Sequence, residues 1–115
     1  MIIRIKNLHL KGIIGIYEQE KLEPQDIVVN VEMDVDVQKA VISDNIADTI
    51  DYDGITERIT ELVAGSEYNL LETLAQKMLD IVMEDYRVLK GRVEVDKPQA
   101  IPRADSVSLC CEAKR

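Results

Sequence analysis

The most regular alternation of hydrophobic and polar residues lies between residues 26 and 38, in the segment DIVVNVEMDVDVQ. Every second residue from Ile27 to Val37 is apolar, and the residues between them are polar apart from Val28. Successive side chains of a β-strand point to opposite faces of the sheet. This period of two therefore predicts a long strand with one face in the core.

A weaker strand pattern covers residues 1–10, where Ile3, Ile5 and Asn7 would share one face. The two predicted strands would form a hairpin. Their connection, residues 12–25, is too long for a tight turn. Long connections in compact domains often carry functional residues, so this segment is a candidate for part of a site.

Two helices are predicted in the middle of the chain, at residues 53–64 and 70–86. Apolar residues recur in both segments at the three- and four-residue spacing of a helix that buries one face. They are Ile55, Ile59, Leu62 and Val63 in the first segment, and Leu71, Leu74, Ala75, Met78, Ile81 and Val82 in the second. Asp53 is a suitable N-terminal cap for the first helix, and Gly65 would end it.

Two further strands are predicted at residues 92–97 and 105–112, separated by a turn that contains Pro98 and Pro102. The order of elements is then strand, strand, helix, helix, strand, strand (ββααββ), which predicts an α+β fold. A length of 115 residues suits one domain with a single core, so residues 1–115 are assigned to one domain.

Composition and charge exclude several classes of protein. A hydrophobic content of 46% with 31% charged residues is typical of a soluble globular chain. There is no apolar run long enough for a membrane span and no leader-like segment, so a cytoplasmic location is expected. A net charge of −8 argues against a nucleic-acid surface. Cys110 and Cys111 are adjacent and would point to opposite faces of a strand, so reduced thiols are expected.

Glu72 is a charged residue at the apolar start of the second predicted helix, in the segment YNLLETLA. Asn69 and Glu72 have the spacing of a capping box, in which Asn69 caps the helix and Glu72 reaches back to its backbone. A glutamate at a helix start is also favoured by the helix dipole. The alternative is that Glu72 binds a ligand, and the spacing alone does not separate the two roles.

Four segments together resemble the dihydroneopterin aldolase family of pterin enzymes. They are GIYEQEKLEPQ at 15–25, DNIADTIDY at 44–52, NLLETLA at 69–75 and VDKPQAIP at 95–102. Three others are similar to the related epimerase that acts on dihydroneopterin triphosphate. They are IIRIKNL at 2–8, QDIVVNV at 25–31 and ADSVSL at 104–109. The resemblance covers nearly the whole chain in the right order.

This resemblance implies the tunnelling fold: a four-stranded antiparallel sheet with two helices on one face. It also implies a homo-oligomer in which neighbouring sheets join into a barrel and two tetrameric rings stack into an octamer. Active sites of the family lie between neighbouring subunits. Ring closure would protect the edges of a small sheet with long strands.

The resemblance also implies how a pterin would be bound. A pterin presents a ring N–H beside an exocyclic amino group, and one carboxylate can accept both hydrogen bonds. The family's anchoring glutamate matches Glu72, and the backbone of Leu71 would add a contact. Ile50 would give another backbone contact to the pterin.

Three catalytic residues follow from the same resemblance. Lys97 matches the family's catalytic lysine, which would protonate a ring nitrogen as general acid. Tyr52 matches a tyrosine that a neighbouring subunit contributes, and Glu20 would contact the hydroxyl groups of the substrate side chain. Glu18 and Glu23 compete for the last role, but the spacing to Gln25 favours Glu20. Each could instead be an ordinary surface or packing residue.

No metal or other cofactor is expected, because His9 is the single histidine and the two cysteines lie far from it in the sequence. Two activities start with the same retro-aldol cleavage: the aldolase releases glycolaldehyde, and the triphosphate epimerase re-adds it with inverted geometry. Asp51 and Asp53 flank Tyr52, and such charges disfavour a triphosphate, although Lys11 and Arg103 could serve one. The aldolase is the favoured activity, the epimerase the first alternative and a non-catalytic pterin-binding ring protein the second.

Overall fold

The computed structural model describes residues 1–115 and contains five strands and four α-helices. In chain order these are β1 (Ile2–Ile14), α1 (Glu18–Leu22), β2 (Gln25–Val35), α2 (Gln38–Ser43), α3 (Tyr52–Ala64), β3 (Glu67–Tyr68), α4 (Leu71–Val82), β4 (Val88–Lys97) and β5 (Val107–Lys114). A short 3-10 helix, Ile46–Asp48, lies between α2 and α3. No helix is both long and apolar enough to cross a membrane.

The strands form a single sheet in the order β3-β1-β2-β4-β5. The four long strands pair antiparallel with their neighbours, whereas β3 pairs parallel with the end of β1, at Ile13 and Ile14. The predicted four-stranded antiparallel sheet with ββααββ order is therefore wrong in detail, because the sheet is mixed and has a fifth strand. β3 is only two residues long, too short to show a periodic pattern.

A β-bulge in β1 changes which residues face the helices. The pairing with β2 shifts between Ile5 and Leu8, and Asn7 takes a φ of 51° there. Ile3 and Ile5 face inward before the bulge, while Leu8 and Leu10 do so after it. Asn7 is exposed, so its predicted place on the inner face beside Ile5 is wrong. An extra residue in one strand reverses the alternation from that point.

One hydrophobic core lies between the sheet and helices α3 and α4, which pack on the same face. The predicted alternation in β2 is confirmed, since Ile27, Val29, Val31, Met33 and Val35 are all buried. The apolar stripe of α4 is also confirmed. It contributes the buried residues Leu71, Leu74, Ala75, Met78, Leu79 and Val82.

Helix α3 begins at Tyr52, and its N-cap is Asp51 rather than the predicted Asp53. The Asp51 carboxylate accepts a hydrogen bond from the Gly54 N–H at 3.0 Å. At the other end α3 approaches β1 very closely, because a Cβ on Gly12 would lie 2.5 Å from the Val63 carbonyl oxygen. Glycine therefore permits the contact that places the end of α3, and with it β3, beside the end of β1.

Candidate active site

A cleft of about 770 Å³ opens where β1, α1, the start of α4 and the end of β4 meet. Volumes of this size accommodate small-molecule ligands. Glu20, Leu71, Glu72 and Lys97 all line the cleft. Four of the six residues predicted for the site are thus brought together, although they come from three distant parts of the chain.

An ion pair in the cleft joins Glu20 to Lys97. Lys97 Nζ lies 2.5 Å from Glu20 Oε2, and both side chains are largely buried, with 13% and 20% of their surface exposed. These residues are 77 positions apart in the sequence. The pair holds an ammonium group and a carboxylate at the cleft wall in a charge-assisted hydrogen bond.

Two further hydrogen bonds orient the Glu20 carboxylate. The backbone N–H of Tyr17 donates to Oε1 at 3.3 Å, and Gln25 Nε2 donates to Oε2 at 3.2 Å. Gln25 Nε2 also donates to the carbonyl of Ile14 at 3.0 Å. The carboxylate lies against Gly15, where an added Cβ would come within 2.3 Å of it. Gly15 has a φ of 139°, which residues with a side chain rarely adopt. Glycine at this position therefore allows the chain to turn after β1 and leaves room for the Glu20 carboxylate.

These contacts shift the acidity of Glu20. The hydrogen bond from Lys97, more than any other contact, holds the pKa of Glu20 below its ordinary value of 4.5, against the opposing effect of desolvation. The bonds from Gln25 and Tyr17 act in the same direction. Glu20 is therefore ionised at neutral pH, where Lys97 faces a negative charge.

Glu72 is placed differently from the predicted capping box. The N-cap of α4 is Leu70, without a side-chain cap, and Asn69 lies one residue before it. The Asn69 side-chain oxygen accepts a hydrogen bond from Lys21 instead. Glu72 is exposed in the first turn of the helix and lines the cleft, where the helix dipole favours its negative charge. The capping interpretation is wrong, and the carboxylate is open to the cleft.

Tyr52 and Ile50 do not line this cleft. Helix α3 has 13 residues, and its last turn lies at the side of the sheet where β3 is found. Tyr52, in the first turn, is therefore about 20 Å from β3 along the helix axis. Arg87 donates to the Ala47 carbonyl at 3.1 Å, which ties this region to the start of β4, whereas Lys97 is at its end. Ile50 is buried, but Tyr52 is 52% exposed at the opposite end of the molecule.

The remaining chemically interesting side chains lie elsewhere. His9 is exposed on β1. Cys110 and Cys111 are free, as expected, and the Cys111 thiol donates to the Ala75 carbonyl at 3.7 Å. No group of three or more His, Cys, Asp or Glu side chains is arranged to hold a metal ion. Sequence reasoning missed Gly15, whose role becomes visible only once Glu20 is seen folded back on it.

Comparison with known proteins gives consistent matches over the whole chain. The family model for dihydroneopterin aldolase (FolB) matches residues 3–112. Dihydroneopterin triphosphate 2'-epimerase of Escherichia coli K12 is 43% identical over 114 residues, covering 99% of this chain and 95% of that protein. Dihydroneopterin aldolase of the same organism is 31% identical over 111 residues, covering 96% and 91%.

The structure agrees with these matches. The crystal structure of E. coli dihydroneopterin aldolase in complex with neopterin superposes with a TM-score of 0.91 at 30% identity, covering 98% of each chain. The sheet with two helices on one face thus places the chain in a class of pterin enzymes. The chain is a member of the dihydroneopterin aldolase (FolB) family, with both aldolases and triphosphate epimerases among its relatives.

The lowered pKa of Glu20 predicts how the pair contributes to stability as the pH changes. The contribution is fully present above the ordinary carboxyl pKa and is lost as the pH falls through the lowered folded value. Lys97→Met should therefore reduce the free energy of unfolding by roughly 1–3 kcal/mol at pH 7, and the deficit should shrink below about pH 4.5. Urea unfolding at a fixed protein concentration measures this.

Lys90→Met is the matched control, because Lys90 starts the same strand and its ion pair with Glu112 is about half exposed at 3.7 Å. Its effect should be small and nearly independent of pH. A Lys97→Met deficit that stays constant between pH 7 and pH 3 would contradict the assigned ion pair.

Proposed function

We propose that this protein is a dihydroneopterin aldolase, which cleaves dihydroneopterin to hydroxymethyl-dihydropterin and glycolaldehyde. The observation that carries the proposal is the Glu20–Lys97 pair in one cleft with the free carboxylate of Glu72. The Glu20–Lys97 pair can transfer protons. The Glu72 carboxylate can bind a heterocycle that presents two N–H donors side by side. The neopterin bound to the E. coli relative is a ligand of this type.

Lys97 is proposed as the general acid. In dihydroneopterin, a ring C=N bond lies next to the side chain and can accept the electron pair of the breaking carbon–carbon bond. Proton donation from Lys97 to the ring nitrogen assists this step, and the side-chain hydroxyl beyond the breaking bond loses its proton as glycolaldehyde leaves. The carbon left on the ring then takes up a proton, and the ring nitrogen returns its proton to Lys97 as the ring C=N bond re-forms. No lysine Schiff base is needed.

Glu20 has two proposed roles. Its ionised carboxylate accepts a hydrogen bond from the Lys97 ammonium group and holds this proton donor at the cleft wall. Its position in the first connection also brings it to the side-chain end of the bound substrate, where it would contact the hydroxyl groups. Glu23 lines the cleft too, but only Glu20 contacts the lysine.

Glu72 is proposed as the pterin anchor. It lies in the first turn of α4, where backbone N–H groups have no partners within the helix. The N–H of Leu71 belongs to this set and would bind a ring acceptor beside the carboxylate. Ile50 is proposed to add a backbone contact from another subunit, since it lies outside this chain's cleft.

Tyr52 is proposed to complete the cleft of a neighbouring subunit. It lies far from Lys97 of its own chain, because the segment before it is hydrogen-bonded to Arg87, next to the start of β4, whereas Lys97 is at the end of that strand. Exposed apolar side chains occur at both ends of the molecule. They are Ile16, Tyr17, Leu22, Leu70 and Ile101 near the cleft, and Val41, Ile42, Ile46 and Tyr52 at the far end.

Contact between unlike ends of successive subunits would bury both sets and generate a closed ring. The long outer edges of β5 and of most of β1 are also unpaired in the single chain, and such edges favour joining sheets. The assembly that the family resemblance implies, a ring of four and an octamer of two stacked rings, is proposed for this protein, and these surfaces are compatible with it.

Charge in the cleft favours the aldolase over the triphosphate epimerase. The cleft walls carry the carboxylates of Glu20, Glu23 and Glu72 but only one ammonium group, Lys97, which is already paired. A triphosphate requires several cationic partners. The epimerase remains the second candidate because the E. coli epimerase is 43% identical to this chain and the E. coli aldolase 31%.

Product analysis with both substrates tests the function directly. The wild-type protein should release glycolaldehyde from dihydroneopterin faster than it epimerises the triphosphate. Lys97→Met should slow the release by about 10²–10⁴-fold, as expected for losing a general acid. Epimer formation from the triphosphate without glycolaldehyde release would favour the second candidate, and inactivity toward both substrates would refute catalysis.

Neopterin binding tests Glu72. Glu72→Gln should weaken binding by about 2–4 kcal/mol, because an amide presents a donor where the pterin needs an acceptor. Glu23→Gln is the matched control, since it also removes a cleft carboxylate but should leave affinity nearly unchanged. Equal affinities of both variants and the wild type, measured by calorimetry, would show that Glu72 is not the anchor.

Subunit mixing tests the shared site. Tyr52→Phe and Lys97→Met oligomers should each be nearly inactive, but co-refolding them in equal amounts should restore about a quarter of wild-type activity, as random heterologous interfaces predict. Mixing Glu20→Gln with Lys97→Met should restore nothing, because those residues share one chain's cleft. Equal recovery in both mixtures, or in neither, would contradict the assignment of Tyr52 to a neighbouring subunit.

A further inference from the structure

Helix α1 carries Glu20, yet hydrophobic burial does not hold it in place. It has only five residues, and none of them is buried. A helix this short is not stable on its own in water. The contacts of Glu20 with Tyr17 and Gln25 stay within the first connection, so they do not fix that segment relative to α4. The Glu20–Lys97 pair joins α1 to the end of β4, so the segment that leads into α4 must be joined to α1 by another contact.

Lys21, the residue after Glu20, makes such a contact. Its ammonium group donates to the carbonyl of Gly15 at 3.0 Å and also to the side-chain oxygen of Asn69. Gly15 follows the end of β1, and Asn69 lies three residues before Glu72. One side chain therefore links α1 to the end of β1 and to the segment that leads into α4.

Backbone hydrogen bonds make this junction stiffer. The N–H of Gly15 donates to the carbonyl of Tyr68 at 3.1 Å, next to Asn69 and in line with the parallel pairing of β1 and β3. Gly15 thus donates its N–H to β3, and its carbonyl accepts a hydrogen bond from Lys21. The two halves of the cleft wall meet at this point.

We propose that Lys21 is a positioning residue that sets the spacing between the Glu20–Lys97 pair and Glu72. Lys21 does not line the cleft, whereas Asn69 does, so Lys21 acts through its neighbours rather than on the substrate. An ammonium group has three donors and can satisfy both acceptors at once. The mechanical part of the proposal is independent of the reaction, and its effect on turnover rests on the proposed function.

Hydrogen exchange of the ligand-free protein tests the mechanical part. Lys21→Met keeps most of the aliphatic stem and removes the ammonium group. It should raise amide exchange at least tenfold in both residues 15–22 and residues 68–72. Lys21→Arg should restore protection, because a guanidinium can reach both acceptors. Lys6→Met is the control, since Lys6 is an exposed lysine on β1 outside both of these segments.

Steady-state kinetics test the catalytic part. A misplaced reacting group costs turnover more than binding, so Lys21→Met should lower kcat roughly tenfold to a hundredfold while neopterin affinity changes less than threefold. Asn69→Ala should show a smaller loss. The double variant should be no worse than Lys21→Met alone, because both substitutions break the same link.

Each result bears on one part of the proposal. Faster exchange in both segments with a lower kcat, restored by Lys21→Arg, supports it. Unchanged exchange, or faster exchange in residues 15–22 alone, overturns it. Additive effects of Lys21→Met and Asn69→Ala would also overturn it. An inactive wild-type protein would count against the proposed function only, and the exchange data would still decide the role of Lys21.

Discussion

The ion pair between Glu20 and Lys97 is the contact on which the arrangement of the cleft depends. It closes a loop of most of the chain, since its partners lie 77 residues apart. The lysine comes from the end of a strand paired on both sides, and the glutamate comes from a five-residue helix with no buried residues. The strand therefore supplies the fixed reference, and the polar contacts of Glu20 fold the connection onto it.

The two carboxylates of the cleft have contrasting environments. Glu20 is satisfied by a lysine, an amide and a backbone N–H, and the first of these holds its pKa low. Glu72 is exposed at the start of a helix, where only the helix dipole acts on it. A carboxylate that is already paired is suited to controlling a neighbouring proton donor, and an open one is suited to accepting hydrogen bonds from a ligand.

Much of the fold could be predicted from the sequence where burial imposes a strong period. Alternation in β2 and the helical stripe of α4 both follow from one buried face. Helix α1 and strand β3 could not be predicted in this way, because one has no buried face and the other has two residues. These two elements are held by polar contacts, and their partners lie far away in the sequence.

The candidate site shows the same division. Resemblance to a family indicated Glu20, Glu72 and Lys97, and the structure places all three in one cleft. Local spacing alone indicated a capping box at Asn69, but that side chain is engaged by Lys21, 48 residues earlier. A capping-box spacing shows that Asn69 could bond to the helix backbone, but it does not show whether another residue, here Lys21, bonds to Asn69 instead. The distant position of Tyr52 likewise depends on the length and direction of α3, which only the folded chain shows.

The bulge at Asn7 has a consequence for how this sequence can change in evolution. Odd-numbered residues of β1 face the core before the bulge, and even-numbered residues face it after the bulge. The two halves of the strand therefore differ by one residue in their register. Losing one residue at the bulge would restore a regular alternation in which Ile3, Ile5, Leu8 and Leu10 all still face the core. A single deletion between the bulge and Gly15 would instead misalign Gly15 with β3. The length of β1 between the bulge and the cleft is therefore constrained more strictly than its length at the bulge.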